Sequence, residues 1–260
     1  DSEHSAIWQC LVGEPKAGKS TSIMRMAVAA HEDGASVLFI GFEMTNQEQA
    51  GRSDSMRTHV SHERLMRGRL TEKEERKLRD GLARIAEKYP HPFILSQDVF
   101  SATTISGVLA KTQQYRPDIL FIDGVYMMDD EQGEEKGSPR HLTNVTRGLK
   151  RIAQQLDIPI VITTQVLTWK FKSKGGKGSI SADAIGYSSS FAQDSDLILG
   201  VENTEDDNLK KLSVVLSRNT KRVSVHIKWD WDYGEFDEVA EADIDFDDDI
   251  ALGDQFGERR

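Results

Sequence analysis

The segment from Gly13 to Thr21, GEPKAGKST, has residue types and spacing that suit phosphate binding. A glycine is followed by four residues and then by Gly-Lys-Ser, a pattern in which backbone N–H groups surround phosphate oxygens. Gly13 and Gly18 allow the tight turn, and a following helix adds its N-terminal dipole. The segment therefore predicts a nucleoside triphosphate site. Its members are Gly13, Glu14, Pro15, Lys16, Ala17, Gly18, Lys19, Ser20 and Thr21.

Two side chains of this loop have distinct expected roles. Lys19 reaches the β- and γ-phosphates, and the hydroxyl of Ser20 is a ligand for Mg²⁺. The flanking sequence fits this interpretation, because the apolar run 7–12 predicts a buried strand before the loop and 21–32 predicts a helix after it.

Three polar side chains follow three further predicted strands. Glu43 follows 36–42, Asp123 follows Ile119 to Ile122, and Gln165 follows 158–164. Ligands of parallel α/β sheets bind beyond the carboxyl ends of the strands, so we expect all three side chains near the phosphates. Glu43 is the candidate base that activates water, Asp123 a candidate Mg²⁺ ligand, and Gln165 a candidate sensor of the γ-phosphate.

A basic and aromatic segment, WKFKSKGGKG, follows this last strand and Gln165. Lysines can pair with nucleic-acid phosphates, glycines let the backbone follow a strand, and an aromatic ring can stack on a base. We therefore predict a nucleic-acid contact, with a solvated loop as the alternative. The four candidate residues are Lys170, Lys172, Lys174 and Lys177.

The composition limits the class of protein. The 260 residues are enough for one large α/β domain, and we assign residues 1–236 to it and 237–260 to an acidic, flexible tail. A net charge of −10 leaves room for a local basic channel. Cys10 is the single cysteine, and no apolar segment predicts a signal peptide or a membrane span, so we expect a cytoplasmic protein with no membrane partner.

Several stretches together resemble the RecA-like ATPase core of DnaB-type replicative helicases. Val37 to Arg52, VLFIGFEMTNQEQAGR, is similar to the family's strand that ends in Leu-Glu-Met before a helix carrying an arginine. Met66 to Leu78, MRGRLTEKEERKL, resembles a family segment that ordinary RecA recombinases lack. Ala192 to Leu199, AQDSDLIL, is similar to the family's Gln-Asp-Ala-Asp stretch before a strand.

The resemblance implies a P-loop NTPase fold, with a mainly parallel central sheet flanked by helices and extended by C-terminal strands. It implies a DNA-dependent ATPase with ATP and Mg²⁺ as cofactors. It also implies a homo-oligomeric ring, a hexamer, that moves along single-stranded DNA as a replicative helicase. In this comparison Glu43 is the catalytic base, Gln165 the γ-phosphate sensor and Arg218 the arginine finger supplied to a neighbouring subunit. The family usually has a lysine two residues before that arginine, where this chain has Leu216.

Other functions stay open from the sequence. The chain can be a recombination or annealing ATPase, a DNA-processing nuclease ring, or a binding module that uses nucleotide only to control assembly. The acidic stretch 244–251 resembles the tip of bacterial single-stranded-DNA-binding proteins, which leaves two readings open: contacts with replication or repair proteins, or a plain solubilising or DNA-repelling tail. A phage or plasmid origin, and hence the cytoplasm of a bacterial host, is consistent with this sequence.

Overall fold

A computed structural model of the protein describes residues 8–97, 103–165, 189–218, 221 and 223–239. The described part has the predicted α/β architecture, with nine strands in one sheet. The strands are β1 (Trp8–Gly13), β2 (Val37–Gly41), β3 (Phe93–Gln97), β4 (Ile119–Asp123), β5 (Ile160–Gln165), β6 (Leu197–Asn203), β7 (Leu209–Ser217), β8 (Ser224–Asp230) and β9 (Glu235–Val239).

Seven α-helices accompany these strands in the described ranges. They are α1 (Lys19–Glu32), α2 (Asn46–Thr58), α3 (His62–Met66), α4 (Glu72–Lys88), α5 (Ile105–Tyr115), α6 (Pro139–Leu156) and α7 (Ser189–Asp194). None of them combines the length and apolar composition needed to cross a membrane.

The order of strands across the sheet is β3-β2-β4-β5-β1-β6-β7-β8-β9. The first six run parallel to one another, and β7, β8 and β9 continue the sheet in antiparallel fashion. The prediction of a mainly parallel sheet with a C-terminal strand extension is confirmed. Because β1, β2, β4 and β5 are parallel, their carboxyl ends lie at one edge of the sheet.

The apolar strand runs are buried on both faces. Successive side chains of a strand point to opposite faces, so Leu38 and Ile40 join one core cluster while Val37 and Phe39 join the other. Helices α5 and α6 cover the first face, and α1 covers the second. This double coverage explains why these strands appear in the sequence as continuous apolar runs rather than as alternating ones.

Local capping signals set several helix starts. A capping box is present at the start of α4, since Thr71 accepts from the Glu74 N–H and the Glu74 carboxylate accepts from the Thr71 N–H. Thr45 and Glu48 form an equivalent box at the start of α2. Ser138 caps α6, and Pro139 occupies its first turn, where a missing N–H costs nothing.

The C-terminal end of the sheet differs from the sequence-based prediction. The sequence assigns residues 237–260 to a flexible tail, but Glu235–Val239 forms β9 and pairs with β8. The reason is a tertiary contact, because Phe236 lies opposite Trp229 with ring centroids 4.2 Å apart. The sheet thus extends three residues beyond position 236, and residues 240–260 of the predicted tail lie outside the described residues.

The turn between β8 and β9 is fixed against two helices. The backbone N–H of His62 donates to the carbonyl of Asp232 at 3.1 Å, and the N–H of Glu63 donates to the Asp232 carboxylate at 2.9 Å. Gly234 has φ +62°, and a Cβ built on it would lie 2.5 Å from Met56. The turn therefore packs closely on α2 and the start of α3, and this contact brings the tip of the hairpin to the nucleotide loop.

Candidate nucleotide-binding site

The loop between β1 and α1 has the backbone that its glycines predict. Gly18 has φ +92°, a left-handed conformation that other residues adopt at a cost, and a Cβ there would lie 2.7 Å from the ring of Trp229. Gly13 lies so close to β6 that a Cβ would be 2.6 Å from the carbonyl oxygen of Val201. Helix α1 begins at Lys19, so its first free N–H groups lie at the loop.

Lys19 folds back over this loop. Its ammonium donates to the carbonyls of Gly13 at 3.1 Å and of Glu14 at 2.8 Å, and the residue is buried. Burial lowers the pKa of the Lys19 ammonium, while nearby carboxylates, first Glu43 and then Asp123, act in the opposite direction. The ammonium is thus held where carbonyls and carboxylates compensate its charge, and a triphosphate would provide a stronger counter-charge.

Asp123 is a buried carboxylate with a fixed orientation. The hydroxyl of Thr163 donates to its Oδ1 at 2.6 Å and accepts from the backbone N–H of Gly124 at 2.7 Å. Ser20 lines the same cleft. A hydroxyl and one carboxylate suit Mg²⁺, which keeps several waters and takes further oxygen ligands from a bound phosphate. No group of three or more His, Cys, Asp or Glu side chains within the described ranges forms an alternative metal site.

Glu43 lies beside Asp123 because their strands are neighbours. Gly41 at the end of β2 pairs with Asp123 at the end of β4, and Glu43 follows two residues later. The Glu43 side chain opens to the cleft, but partial burial of its carboxyl raises the pKa, and the charge of Asp123 acts in the same direction. Lys19 opposes both effects. A carboxylate with a raised pKa is a better proton acceptor than an ordinary surface glutamate.

Gln165 completes this edge of the sheet. It is the last residue of β5 and pairs with Gly13, so its amide lies next to the start of the loop. The cleft has a volume of about 660 Å³. It is lined by Pro15, Lys16, Gly18, Lys19, Ser20, Thr21, Glu43, Met44, Arg52, His62, Asp123, Tyr126, Thr163, Gln165 and Trp231. The structure therefore brings together side chains from four parallel strands that the sequence singled out separately.

Six lining residues have no assigned role in the sequence analysis, and two of them, Arg52 and Trp231, are placed to contact a bound nucleotide. Arg52 on α2 donates to the hydroxyl of Thr21 at 2.7 Å, which places a half-buried guanidinium beside the end of the predicted phosphate loop. Trp231 at the β8–β9 turn is 42% exposed, and its Nε1–H donates to the carbonyl of Asp207 at 3.3 Å. The family resemblance marks Arg52 only as part of a pattern, and no local signal connects Trp231 with a loop more than 200 residues away.

Arg218 does not belong to this cleft. Strand β7 runs antiparallel to β6, and its last residue Ser217 pairs with Leu197 at the start of β6. The carboxyl end of the parallel strands, where Gly13 pairs with Val201, is the opposite edge of the sheet. Arg218 thus lies away from the nucleotide site of its own chain. The predicted nucleic-acid residues Lys170, Lys172, Lys174 and Lys177 lie outside the described residues.

Comparison with known families gives one clear match. Residues 5–238 match the model of the DnaB-like helicase C-terminal domain. The match covers nearly all of the nine strands and seven helices described above.

Curated relatives with similar sequences include a probable plasmid replicative DNA helicase of Chlamydia trachomatis, 25% identical over 211 residues that cover 80% of this chain and 46% of that protein. Another is the replicative DNA helicase DnaB of Helicobacter pylori, 26% identical over 209 residues that cover 76% of this chain and 42% of the relative. The chain thus spans less than half the length of these relatives.

Solved structures support the fold. A solved ATPase domain superposes with a TM-score of 0.76 at 16% identity, covering 90% of this chain and 85% of that one. A DnaB-like replicative helicase, solved in a study of its interactions with primase, gives a TM-score of 0.75 at 16% identity, covering 88% of this chain and 57% of that one. The α/β architecture described above is therefore a RecA-like fold.

Proposed function

The chain belongs to the family of DnaB-like helicase C-terminal domains, and on that premise we propose that it is an ATP-driven motor of a replicative DNA helicase. In this proposal the chain hydrolyses ATP, assembles with further copies into a ring, and moves along single-stranded DNA. The single observation that carries the hydrolytic part is the cleft in which Lys19, Glu43 and Asp123 lie together.

The triphosphate binds along the loop from Gly13 to Thr21. Backbone N–H groups at the start of α1 bind phosphate oxygens, and Lys19 exchanges its bonds to loop carbonyls for bonds to the β- and γ-phosphates. Arg52, anchored on Thr21, adds a second cation to the phosphate end of the cleft. Two cations and a row of N–H donors offset the charge that develops on the transferred phosphoryl group.

Glu43 is the proposed general base. Its raised pKa and its exposure to the cleft suit a carboxylate that accepts a proton from an attacking water. Ser20 and Asp123 would hold the Mg²⁺ that accompanies ATP, and this ion would supply positive charge that offsets the negative charge of the triphosphate. Thr163 keeps the Asp123 carboxylate turned toward that position.

The indole of Trp231 forms a wall of the same cleft, next to Gly18. An exposed aromatic face beside a phosphate loop is suited to stacking on the base of a nucleotide. We propose that the base of the bound nucleotide stacks on the indole of Trp231.

A ring is required for the proposed role of Arg218. Because β7 ends at the edge of the sheet opposite the cleft, Arg218 can act on a γ-phosphate only if it belongs to a neighbouring subunit. An arginine supplied in trans is worth about three to five orders of magnitude in rate in related phosphoryl-transfer systems. We propose a hexamer as the ring.

Contact with single-stranded DNA is assigned to the lysines at 170, 172, 174 and 177. They follow Gln165 closely in sequence, so a change at the γ-phosphate can be passed from the Gln165 amide to the DNA-binding segment over a few residues. Recruitment of replication or repair proteins through the acidic residues 244–251 stays a prediction.

The test measures ATP hydrolysis with and without single-stranded DNA, in parallel with sedimentation to size the assembly. We expect strong stimulation by DNA in a large ring, and loss of hydrolysis in Glu43→Gln with nucleotide binding retained. Glu87→Gln makes the same chemical change at an exposed residue of α4 that does not line the cleft, and it should keep wild-type turnover. Wild-type turnover in Glu43→Gln would contradict the assignment of the base. ATP hydrolysis that single-stranded DNA does not stimulate would favour a nucleotide-controlled scaffold or a nuclease.

A further inference from the structure

Arg218 is held in place by the end of helix α7 and the residues that follow it. Its Nε lies 3.3 Å from Oδ1 of Asp196, and its Nη2 donates to the carbonyl of Gln193 at 3.2 Å. The two backbones are joined as well, since the N–H of Arg218 donates to the carbonyl of Asp196 at 3.1 Å. The backbone and the guanidinium of Arg218 therefore both contact the segment 193–196.

Asp196 is itself fixed from the opposite side. Its Oδ2 lies 2.7 Å from the ammonium of Lys150 on α6. The side chains of Lys150 and Asp196 are 17% and 22% exposed, whereas that of Arg218 is 56% exposed. The carboxylate thus lies between a largely buried cation and an exposed one, and the exposed cation is Arg218.

The contacts of Arg218 leave most of its guanidinium available. Nε is ion-paired with Asp196 and Nη2 donates one hydrogen bond to Gln193, and within the described part of the chain the guanidinium makes no other hydrogen bond. An arginine binds phosphate through a planar fork of N–H groups. The Asp196 and Gln193 contacts hold one edge of the plane and leave the other edge for an incoming oxygen atom.

We propose that Asp196 is a positioning residue that presents Arg218 to the nucleotide of the neighbouring subunit. This inference rests on the proposed role of Arg218 in trans. A free arginine side chain samples many rotamers, and fixing one of them beforehand removes that cost from the catalytic step. Lys150 keeps the carboxylate paired when Arg218 shifts toward a phosphate, so the movement leaves no unpaired charge at a largely buried site.

The test compares Asp196→Asn with Asp194→Asn. Asp194 lies two residues away, and its carboxylate accepts from the hydroxyl of Thr146 at 3.2 Å, so its variant is a matched loss of one charge on the same segment. DNA-stimulated ATP hydrolysis is measured at full nucleotide saturation together with KM and ring size. We expect kcat to fall about tenfold to a hundredfold in Asp196→Asn, with KM and ring size unchanged, and to stay at the wild-type value in Asp194→Asn.

A second comparison separates positioning from a general structural role. If Asp196 acts only through Arg218, adding Asp196→Asn to Arg218→Ala has no further effect on kcat. If Asp196→Asn lowers kcat equally in the wild-type and Arg218→Ala backgrounds, the inference is wrong. It is also wrong if Asp196→Asn raises kcat, because the contact between Asp196 and Arg218 would then be inhibitory. Wild-type turnover in Arg218→Ala instead refutes the proposed finger, so the two failures are distinguishable.

Asp196→Glu covers the case in which Asp196→Asn does not fold. It keeps the charge and moves the carboxylate by one methylene group, which displaces Arg218 without leaving Lys150 unpaired. We expect a several-fold lower kcat with intact folding by circular dichroism. An unchanged kcat overturns the proposal.

Discussion

Thr163 donates a hydrogen bond of 2.6 Å from its hydroxyl to Oδ1 of Asp123, and both residues are buried. The same hydroxyl accepts from the Gly124 N–H at 2.7 Å, which fixes the direction in which its own proton points. The carboxylate of Asp123 therefore has one oxygen committed to β5 and the other left for the cleft. One side chain on a neighbouring strand thus sets the geometry of the candidate metal ligand.

Thr163→Val removes this hydrogen bond while keeping the shape of the side chain. We expect the Mg²⁺ concentration needed for half-maximal ATP hydrolysis to rise about tenfold to a hundredfold, the usual effect of losing a partner that orients a metal ligand. Thr163→Ser keeps the hydroxyl and should stay within about threefold of wild type on the same scale. Titration of hydrolysis with Mg²⁺ checks both. An equal rise in the two variants would contradict a specific role for the hydroxyl, since only Thr163→Val removes it.

Glu43 gives a pH dependence with a defined sign. In the nucleotide-free protein its pKa is raised by burial and by Asp123, and a general base works only when deprotonated, so kcat/KM falls as the pH drops through this raised value. The acid limb of the profile should therefore lie above the ordinary glutamate pKa of 4.5. Glu43→Gln should lower kcat by about 10²- to 10⁴-fold and remove this limb. A profile of kcat/KM measured across the acid and neutral pH range tests the assignment.

The same residue predicts a stability effect in nucleotide-free protein. Because folding raises the pKa of Glu43, its charged form disfavours the folded state, and the penalty appears as the pH rises above the ordinary value of 4.5. Below that pH the Glu43 carboxyl is protonated in both the folded and the unfolded protein, and the penalty disappears. Glu43→Gln should therefore melt at a higher temperature than wild type at neutral pH and at the same temperature below the ordinary glutamate pKa. Thermal melts at the two pH values decide this, and a lower Tm in the variant at neutral pH would contradict it.

Trp231 offers an optical measure of nucleotide binding. Its indole lines the cleft and contacts Trp229, with ring centroids 4.9 Å apart. We expect the tryptophan fluorescence to change when a nucleotide binds, and Trp231→Ala to weaken nucleotide affinity about tenfold, since stacking on a base is worth about 1–3 kcal/mol. Trp231→Phe keeps an aromatic face and should retain most of the affinity. If alanine and phenylalanine variants bind equally well, the base does not rest on this wall.

Gly148 of α6 packs against Ile105 at the start of α5. A Cβ on Gly148 would lie 2.6 Å from Cγ1 of Ile105, and both methyl groups of that side chain are within 3.0 Å. Replacing a helical glycine by alanine normally gains about 1 kcal/mol, but overpacking costs about 1–3 kcal/mol, so Gly148→Ala should be neutral or destabilising. In an Ile105→Ala background the clash is absent, and Gly148→Ala should then stabilise. Urea unfolding of the wild type, the two single variants and the double variant gives the coupling free energy between Gly148→Ala and Ile105→Ala.

Much of the fold can be predicted because its signals are local. The helix at Pro139–Leu156 is evident from the sequence, since a capping serine, a first-turn proline and a periodic apolar face all lie within one segment. The capping box at Thr71 and Glu74 is recognisable for the same reason. Strand β9 does not follow from the sequence, because an acidic segment with one phenylalanine carries no sign of the tryptophan that it pairs with.

By itself, the sequence determined the phosphate loop, the strand-end positions of Glu43, Asp123 and Gln165, and the succession of strands and helices that flank them. These depend on residue type and on spacing over a few positions. Only the tertiary structure decided that Trp229 and Trp231 cover Gly18, that Arg52 reaches Thr21, and that Arg218 lies at the opposite edge of the sheet, paired with Asp196. Those relationships join residues far apart in the chain, and they follow from the direction in which each strand enters the sheet.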